Sequence, residues 1–131
     1  MMAEKARLFG DTVICDKIVS AENPGAAKSL GRRVANFDET TWVEKRFEIV
    51  ARGNEAKFSQ NEPLKDFLIA SGSKVLVEAS PTDRIWGIGM AANDDRAKRP
   101  SKWNGLNLLG FALMEVRERF HIPKTKEPPQ E

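Results

Sequence analysis

The sequence is poor in the side chains that hold metals and cross-link proteins. Its 131 residues include one cysteine, Cys15, one histidine, His121, and no tyrosine. A lone cysteine cannot form a disulfide within the chain, and one cysteine with one histidine cannot supply the ligands of a structural zinc site. We therefore expect no bound metal, and an aromatic core built from phenylalanine and tryptophan alone.

Long apolar runs and the common nucleotide-binding glycine motifs are also missing from the sequence. Glu4, Lys5 and Arg7 interrupt the first residues, so we expect neither a secretory signal nor a transmembrane helix there, and we expect a cytoplasmic protein. No G-x-x-x-x-G-K-[ST] loop or complete G-x-G-x-x-G pattern occurs, which argues against the usual phosphate-binding loops. The 21 basic and 19 acidic residues leave a formal charge of +2, too small to indicate a nucleic-acid partner.

What is present is a mixture of apolar and charged residues that is typical of one globular domain. Hydrophobic residues make up 40% of the chain and charged residues 31%. Capping residues mark the starts of several amphipathic segments, and proline follows closely after two of them. Capping and periodicity together predict helices over about 1–9, 12–20, 24–34, 39–58, 62–70 and 106–120, with Asp11, Asn23, Asp38 and Asn61 as the caps of the middle four.

Apolar residues at helical spacing predict which faces of three helices point towards the core. The predicted core residues are Val43, Phe47 and Val50 in the fourth helix, Leu64, Phe67 and Leu68 in the fifth, and Leu106, Leu109, Leu113, Val116 and Phe120 in the last.

One segment alternates with the period of two that a β-strand needs. In residues 74–79, KVLVEA, Val75 and Val77 share one face, and Leu76 and Glu78 share the other. This segment is the best candidate for a strand in the chain.

The remaining segments complete the expected fold. Residues 80–90 combine turn residues with an apolar cluster and predict a loop with a short strand, and the polar stretch 91–105 predicts a mobile loop. We expect an α+β fold that is predominantly helical with a small β-sheet. The domain is expected to cover residues 1–122, with a disordered, proline-rich tail over 123–131.

Residues 78–89, EASPTDRIWGIG, carry the densest group of reactive side chains in the sequence. In one interpretation Glu78 pairs with an arginine and Asp83 caps the turn. In the other, the two carboxylates form an acid/base site. Gly87 would allow a backbone or a ligand to approach closely.

A second line of residues runs along the last predicted helix, beside its leucines. Asn107, Gly110, Met114 and Arg117 follow one another at helical spacing, and Gly110 leaves space where a side chain would stand. One interpretation is a close packing contact at this line. The other is that Asn107 and Arg117, with Asn104, form the wall of a pocket.

Several short motifs lie along the chain in a fixed order. They are Gly31-Arg32, Trp42, Arg46, Lys57-Phe58-x-Gln60-Asn61, Leu76-x-Glu78-x-Ser80-x-x-Asp83-x-x-Trp86-Gly87-x-Gly89 and Asn104-Gly105-x-Asn107-x-x-Gly110-x-x-Leu113-Met114-x-x-Arg117. In this order and spacing they resemble the NADAR/YbiA-like family, from Met1 to Phe120.

The resemblance implies a mainly helical fold with a small amount of sheet, and an N-glycosidase of riboflavin biosynthesis intermediates. Such an enzyme hydrolyses the C–N bond between a ribose phosphate and an aminopyrimidine, without metal or other cofactor, and releases ribose 5-phosphate. One alternative is an ADP-ribosyl-guanine hydrolase, which the basic loop 94–102 could serve and for which nucleic acid would be a partner. Another is a non-catalytic ADP-ribose or nucleotide-binding module.

The resemblance also implies roles for particular residues. Asp83 is expected to be the acid/base or water-orienting group, Glu78 its positioning or electrostatic partner, and Trp86 a stacking wall for the base. Lys5 is expected to attack the anomeric carbon and form a Schiff base. The expected substrate-binding residues are Arg32, Arg46 and Arg117 for the phosphate, together with Gly87, Asn104 and Asn107.

Family members normally carry aromatic-rich strands and a Glu-His-Tyr segment ahead of the position of Met1, and that segment supplies a glutamate to the site. Either the sequence is a fragment, or the domain is short at its N-terminus. In both cases we expect apolar surface to be exposed where those strands would pack.

Overall fold

Six α-helices make up most of residues 1–121, the part of the chain that the computed structural model describes. The helices are α1 (Met2–Leu8), α2 (Thr12–Val19), α3 (Pro24–Gly31), α4 (Glu39–Ser59), α5 (Glu62–Ala70) and α6 (Leu108–His121). The backbone groups into two units, Met1–Val50 and a second that begins at Ala51. Within residues 1–121, no helix is long and apolar enough to cross a membrane. The tail predicted over 123–131 lies outside the described residues.

Four helices begin at the capping residues that the sequence predicts. The side chains of Asp11, Asn23, Asp38 and Asn61 accept hydrogen bonds from the backbone N–H three residues later, at 2.8–3.4 Å. Gly72 follows α5 with a φ of +63°, a conformation that favours glycine. The predicted helices are therefore confirmed, with small differences at their ends.

The first unit packs α1, α2 and α3 around one small core. Its buried residues are Ala6, Ile14, Cys15, Ile18 and Val34. Gly31 lies so close to Met2 that a Cβ at this position would overlap the methionine side chain. α3 ends at Gly31 rather than near residue 34, because the N–H groups of Arg32 and Arg33 donate to carbonyls three residues back and tighten the last turn.

Three predicted core positions are exposed instead. Val43 in α4, Phe67 in α5 and Leu106 ahead of α6 are 45%, 78% and 55% exposed. In α4 the buried face includes Trp42 and Ile49, which are seven residues apart. Arg46 lies between them on this face, so the apolar residues of the face do not form a recognisable helical pattern in the sequence.

The expected small β-sheet is not found: residues 1–121 contain no β-strand, so the predicted α+β fold is wrong for this part of the chain. Residues 75–80 do alternate in exposure as predicted. Leu76 and Glu78 are half-buried, whereas Val75 and Val77 are 58% and 39% exposed. The periodicity therefore identified the two faces of the segment but not a sheet.

The side chain of Asn107 replaces the neighbouring strand that this segment would need. Its Nδ2 donates to the carbonyl of Leu76 at 3.0 Å, and its Oδ1 accepts from the N–H of Glu78 at 2.9 Å. These are the bonds that a residue on a parallel strand would make. The N–H of Ile88 adds one backbone bond to the Glu78 carbonyl, at 3.0 Å, and a single bond does not form a ladder. The short strand predicted within 80–90 is absent for this reason.

The polar stretch 91–105, predicted to be a mobile loop, includes local helical structure. Two short 3-10 helices occupy Asp95–Lys98 and Pro100–Lys102. The indole N–H of Trp103 donates to the carbonyl of Ala97 at 2.8 Å and fastens the end of the stretch to its middle.

Candidate functional site

Asp83 organises the loop that follows the extended segment. One oxygen of its carboxylate, Oδ1, accepts from the N–H groups of Ile85 at 3.0 Å and Trp86 at 2.8 Å. This confirms the turn cap that the sequence indicates. Within residues 1–121, Oδ2 accepts no hydrogen bond, so half of the carboxylate stays available for chemistry.

Glu78 lies on the wall of a cavity of about 200 Å³ in the second unit. The other lining residues are mostly apolar: Phe58, Phe67, Leu68, Ser71, Leu76, Val77, Leu109, Gly110 and Leu113. No ion pair with an arginine holds Glu78 in the described part of the chain, so that interpretation of Glu78 is wrong there. Glu78 is half-buried and lines a largely apolar space.

Asn107 ties the loop and the extended segment to the start of α6. The residue is fully buried, and both ends of its carboxamide are used by the backbone of Leu76 and Glu78. Its own N–H donates to the carbonyl of Gly87 at 3.0 Å. It has a φ of +53°, which asparagine tolerates better than most residues. Asn107 thus fixes the position of the loop from the inside.

Glycines permit the close contacts around this asparagine. A Cβ on Gly110 would overlap the Leu76 carbonyl and the Asn107 carboxamide, and a Cβ on Gly105 would overlap the Gly87 carbonyl. The close contact predicted along the second line of the last helix is therefore present. The extended segment is what packs against Gly110.

The first N–H groups of α6 are also consumed by the loop. Leu108 donates to the carbonyl of Ile85 at 3.1 Å, and Leu109 donates to that of Trp86 at 3.0 Å. Helix N-terminal N–H groups can bind anions only when they have no other partner. Here they instead fix the backbone of Trp86 on its carbonyl side, while Asp83 fixes it on the amide side.

Arg117 anchors the beginning of the extended segment. It is 7% exposed, and its Nη1 donates to Ser71 Oγ and to the carbonyl of Lys74, both at 2.8 Å. Both contacts are to the protein, so the geometry gives Arg117 a positioning task. Its expected role as a phosphate ligand stays a prediction.

In the first unit, Lys5 lies in a partly aromatic setting. Its Nζ donates to the carbonyl of Gly31 at 2.9 Å and lies 4.7 Å from the ring centroid of Phe37 and 5.6 Å from that of Trp42. Burial lowers the pKa of Lys5 below its usual value, and the charge of Glu39 opposes that effect. The sequence pattern missed Phe37, whose ring is also packed edge-on against another phenylalanine.

The other predicted site residues lie at more exposed positions. Arg32 is exposed and Arg46 half-buried in the first unit, and the side chain of Asn104 is exposed in the second. In the basic stretch 94–102, Arg96 donates to both oxygens of Asp94, which lowers the pKa of that carboxyl to about 2. The structure thus brings together one group around Asn107 in the second unit and, in the first, places Lys5 near the rings of Phe37 and Trp42.

Comparison with known proteins identifies relatives of the chain. A model of the NADAR domain matches residues 1–121. N-glycosidase R617 of Acanthamoeba polyphaga mimivirus is 49% identical over 118 residues, which cover 90% of this chain and 69% of that protein. Protein irg-1 of Caenorhabditis elegans is 41% identical over 121 residues, which cover 91% and 57%. Riboflavin biosynthesis protein VVA0006 of Vibrio vulnificus is 32% identical over 121 residues, and the chain covers 30% of its length.

Proposed function

The chain belongs to the NADAR domain family, and from that premise we propose that it hydrolyses the C–N bond between a ribose phosphate and an aminopyrimidine. The predicted enzyme class, an N-glycosyl hydrolase, is confirmed by the relative that is named an N-glycosidase. The relative named a riboflavin biosynthesis protein supports an intermediate of that pathway as the substrate. The product would be ribose 5-phosphate.

The environment of Lys5 carries the proposal. A lysine amine is a nucleophile only when it is neutral, and desolvation of Lys5 by burial favours the neutral form. The carbonyl of Gly31 accepts one N–H bond and so orients the nitrogen. These contacts suit an amine that attacks a carbon centre, whereas a solvated lysine on a helix surface would have none of them.

In the proposed reaction, the neutral Lys5 amine bonds to the anomeric carbon while the bond from that carbon to the pyrimidine nitrogen breaks. The bonding electrons leave with the base, and an acid protonates its nitrogen. The sugar ring then opens to a Schiff base on Nζ. Water adds to this Schiff base and releases ribose 5-phosphate and the free amine.

The loop in the second unit supplies the other proposed groups. Asp83 would transfer the proton or orient water through Oδ2, because its Oδ1 is held by the backbone. Glu78 would stabilise positive charge that develops on the sugar. Trp86 would stack against the base, and Gly87 would allow the substrate to approach the loop backbone.

The remaining predicted residues divide by exposure. We propose that Arg32 and Arg46 bind the phosphate, since a guanidinium binds phosphate through paired hydrogen bonds. Asn104, at the exposed rim of the loop, would contact the substrate. Asn107 and Arg117 would hold the loop in position, because the Asn107 carboxamide and Nη1 of Arg117 are already bonded to the backbone around residues 74–78.

Borohydride trapping tests the proposal. The chain is incubated with the ribosylaminopyrimidine phosphate, released ribose 5-phosphate is measured, and the reduced adduct is mapped by mass spectrometry. We expect an adduct on Lys5 and loss of both signals in Lys5→Met. Lys28→Met, which removes an exposed lysine from the same unit, should change neither.

Each contrary outcome has a distinct meaning. Full turnover in Lys5→Met would rule out the Schiff-base route. Turnover of ADP-ribosylated guanine alone would replace the proposed substrate by the ADP-ribosyl-guanine alternative. Binding of either compound without release would identify a binding module instead of an enzyme.

A further inference from the structure

Two aromatic rings lie beside the side-chain nitrogen of Lys5 in the first unit. Nζ lies over the ring of Phe37, 4.7 Å from its centroid, and over the ring of Trp42, 5.6 Å from its centroid. Both distances are within the range of about 6 Å in which the negative face of an aromatic ring attracts a cation. A neutral amine carries no net charge, so the same ring faces attract it far less.

The burial of Lys5 and the two rings therefore favour different forms of the nitrogen. Burial lowers the pKa of Lys5 and favours the neutral amine. The ring faces of Phe37 and Trp42 favour a cation instead. A nucleophilic lysine needs the neutral form only until it attacks, because its nitrogen becomes positively charged once it has bonded to carbon. The rings therefore match a later stage of the reaction than the burial does.

We propose that Phe37 is a catalytic residue whose ring face stabilises the protonated Schiff base on Lys5, with Trp42 as the second ring, an inference that rests on the proposed function. The charge develops as the sugar ring opens. The lone pair of Nζ forms the C=N bond while the bond from the anomeric carbon to the ring oxygen breaks. That oxygen takes up a proton, replacing the one that the amine released after its attack. Nζ keeps one hydrogen and a positive charge, which the ring faces attract.

The turn before α4 and a neighbouring ring hold Phe37 in this position. Asn36, in the turn immediately before it, has a φ of +59°, which asparagine tolerates better than most residues. Phe9 packs edge-on against the ring of Phe37, with 5.3 Å between the two centroids. Phe37 is 43% exposed, so replacing it removes little buried surface, whereas Trp42 is 9% exposed. Phe37 is therefore the ring to alter in a test.

A series of fluorinated rings at Phe37 tests the proposal. Phenylalanines with one, two and three ring fluorine atoms withdraw negative charge from the ring face while nearly keeping its shape. Borohydride traps the Lys5 adduct during turnover, and rates are compared on the high-pH plateau, where Lys5 is neutral in every variant. We expect the rate of adduct formation to fall with each added fluorine, and by about 3-fold to 30-fold in Phe37→Leu, which has no ring. Phe37→Tyr keeps the ring and should stay close to the unaltered chain.

Phe120 provides a matched control in the second unit. Nζ of Lys65 lies over its ring, 5.0 Å from the centroid, so the contact is of the same kind but involves a lysine with no proposed part in the reaction. The same fluorinated series at Phe120 should leave the rate of adduct formation on Lys5 unchanged. Circular dichroism checks that each variant is folded.

The possible failures are distinguishable. Equal rates across the Phe37 series, with the Lys5 adduct still formed, would overturn this inference and leave the proposed function intact. A slower Phe37→Leu without a graded effect of fluorine would also refute it, because the shape of the ring and not its charge would then matter. If the unaltered chain forms no adduct on Lys5, the proposed function fails and this inference fails with it.

Discussion

The helix starts of the first unit and the loop region of the second unit are held in place by different kinds of contact. In the first unit, Asp11 and Asn23 start helices through bonds to residues three positions later. In the second, Asn107 bonds to residues 29 and 31 positions earlier, and Arg117 to one 43 positions earlier. Local bonds can be replaced by water when a helix end frays, whereas buried distant bonds cannot. Equivalent substitutions should therefore have unequal effects in the two regions.

The largest expected difference is in turnover and concerns two aspartates that each accept two backbone hydrogen bonds. Asp83→Asn keeps the Oδ1 acceptor for Ile85 and Trp86 but removes the charge, so we expect the fold to persist while kcat falls by about 100-fold to 10,000-fold. Asp11→Asn, in the first unit, should leave kcat unaltered although it removes one acceptor, because Asp11 accepts from Ile14 through Oδ1 and from Ala35 through Oδ2. Most of the activity surviving in Asp83→Asn would remove Asp83 from the acid/base role.

The next comparison concerns the contributions of two asparagines to the free energy of unfolding. Asn107→Ala removes a fully buried carboxamide and leaves the part-buried Leu76 carbonyl and Glu78 N–H without their partner, so we expect a loss of about 3 kcal/mol in the free energy of unfolding. Asn23→Ala removes an exposed helix cap and should cost about 1 kcal/mol. Urea denaturation measures both. Similar losses in the two variants would show that the Asn107 bridge adds no more than a helix cap.

Replacing two helical glycines by alanine should change the stability by smaller amounts and in opposite directions. Gly110→Ala forces a methyl group into the Leu76 carbonyl, and we expect destabilisation by about 1–3 kcal/mol. Gly53→Ala, in α4, meets open space and should stabilise the chain by about 0.5–1 kcal/mol, because alanine is the better helix former. Thermal denaturation measures the stability of both variants. A stabilising Gly110→Ala would mean that the segment 74–78 does not pack where the structure places it.

These contrasts also explain how much of the structure the sequence could predict. Four of the helices start with a capping residue whose partner is three positions away, so caps such as Asp11 and Asn61 can be predicted from a short window of sequence. The segment 74–79 has the alternation of a strand, but whether it joins a sheet depends on what lies beside it. An asparagine 31 residues from Leu76 occupies that place, and no local pattern reveals such a partner.

The site shows the same division between local and distant information. The turn cap made by Asp83 is local and could be predicted from the sequence, whereas the bonds by which Asn107 replaces a strand appear only in three dimensions. Phe37 could not be predicted as a site residue, because it belongs to no helical apolar pattern and is 32 positions from Lys5 in the sequence. The burial that lowers the pKa of Lys5 arises from those distant contacts.

The smallest expected effect concerns the charge that opposes this lowering. Glu39 raises the pKa of Lys5, so Glu39→Gln should lower it further and let the amine react at lower pH. The rate of borohydride trapping rises with pH as Lys5 loses its proton, and its midpoint should lie below 10.5 and move down in the variant. Stability follows the same sign: the unfolded chain binds more protons at Lys5, so folding is favoured as pH rises towards 10.5. Glu44→Gln, an exposed change on the same helix, is the control, and an upward shift in Glu39→Gln would contradict the assignment of Glu39.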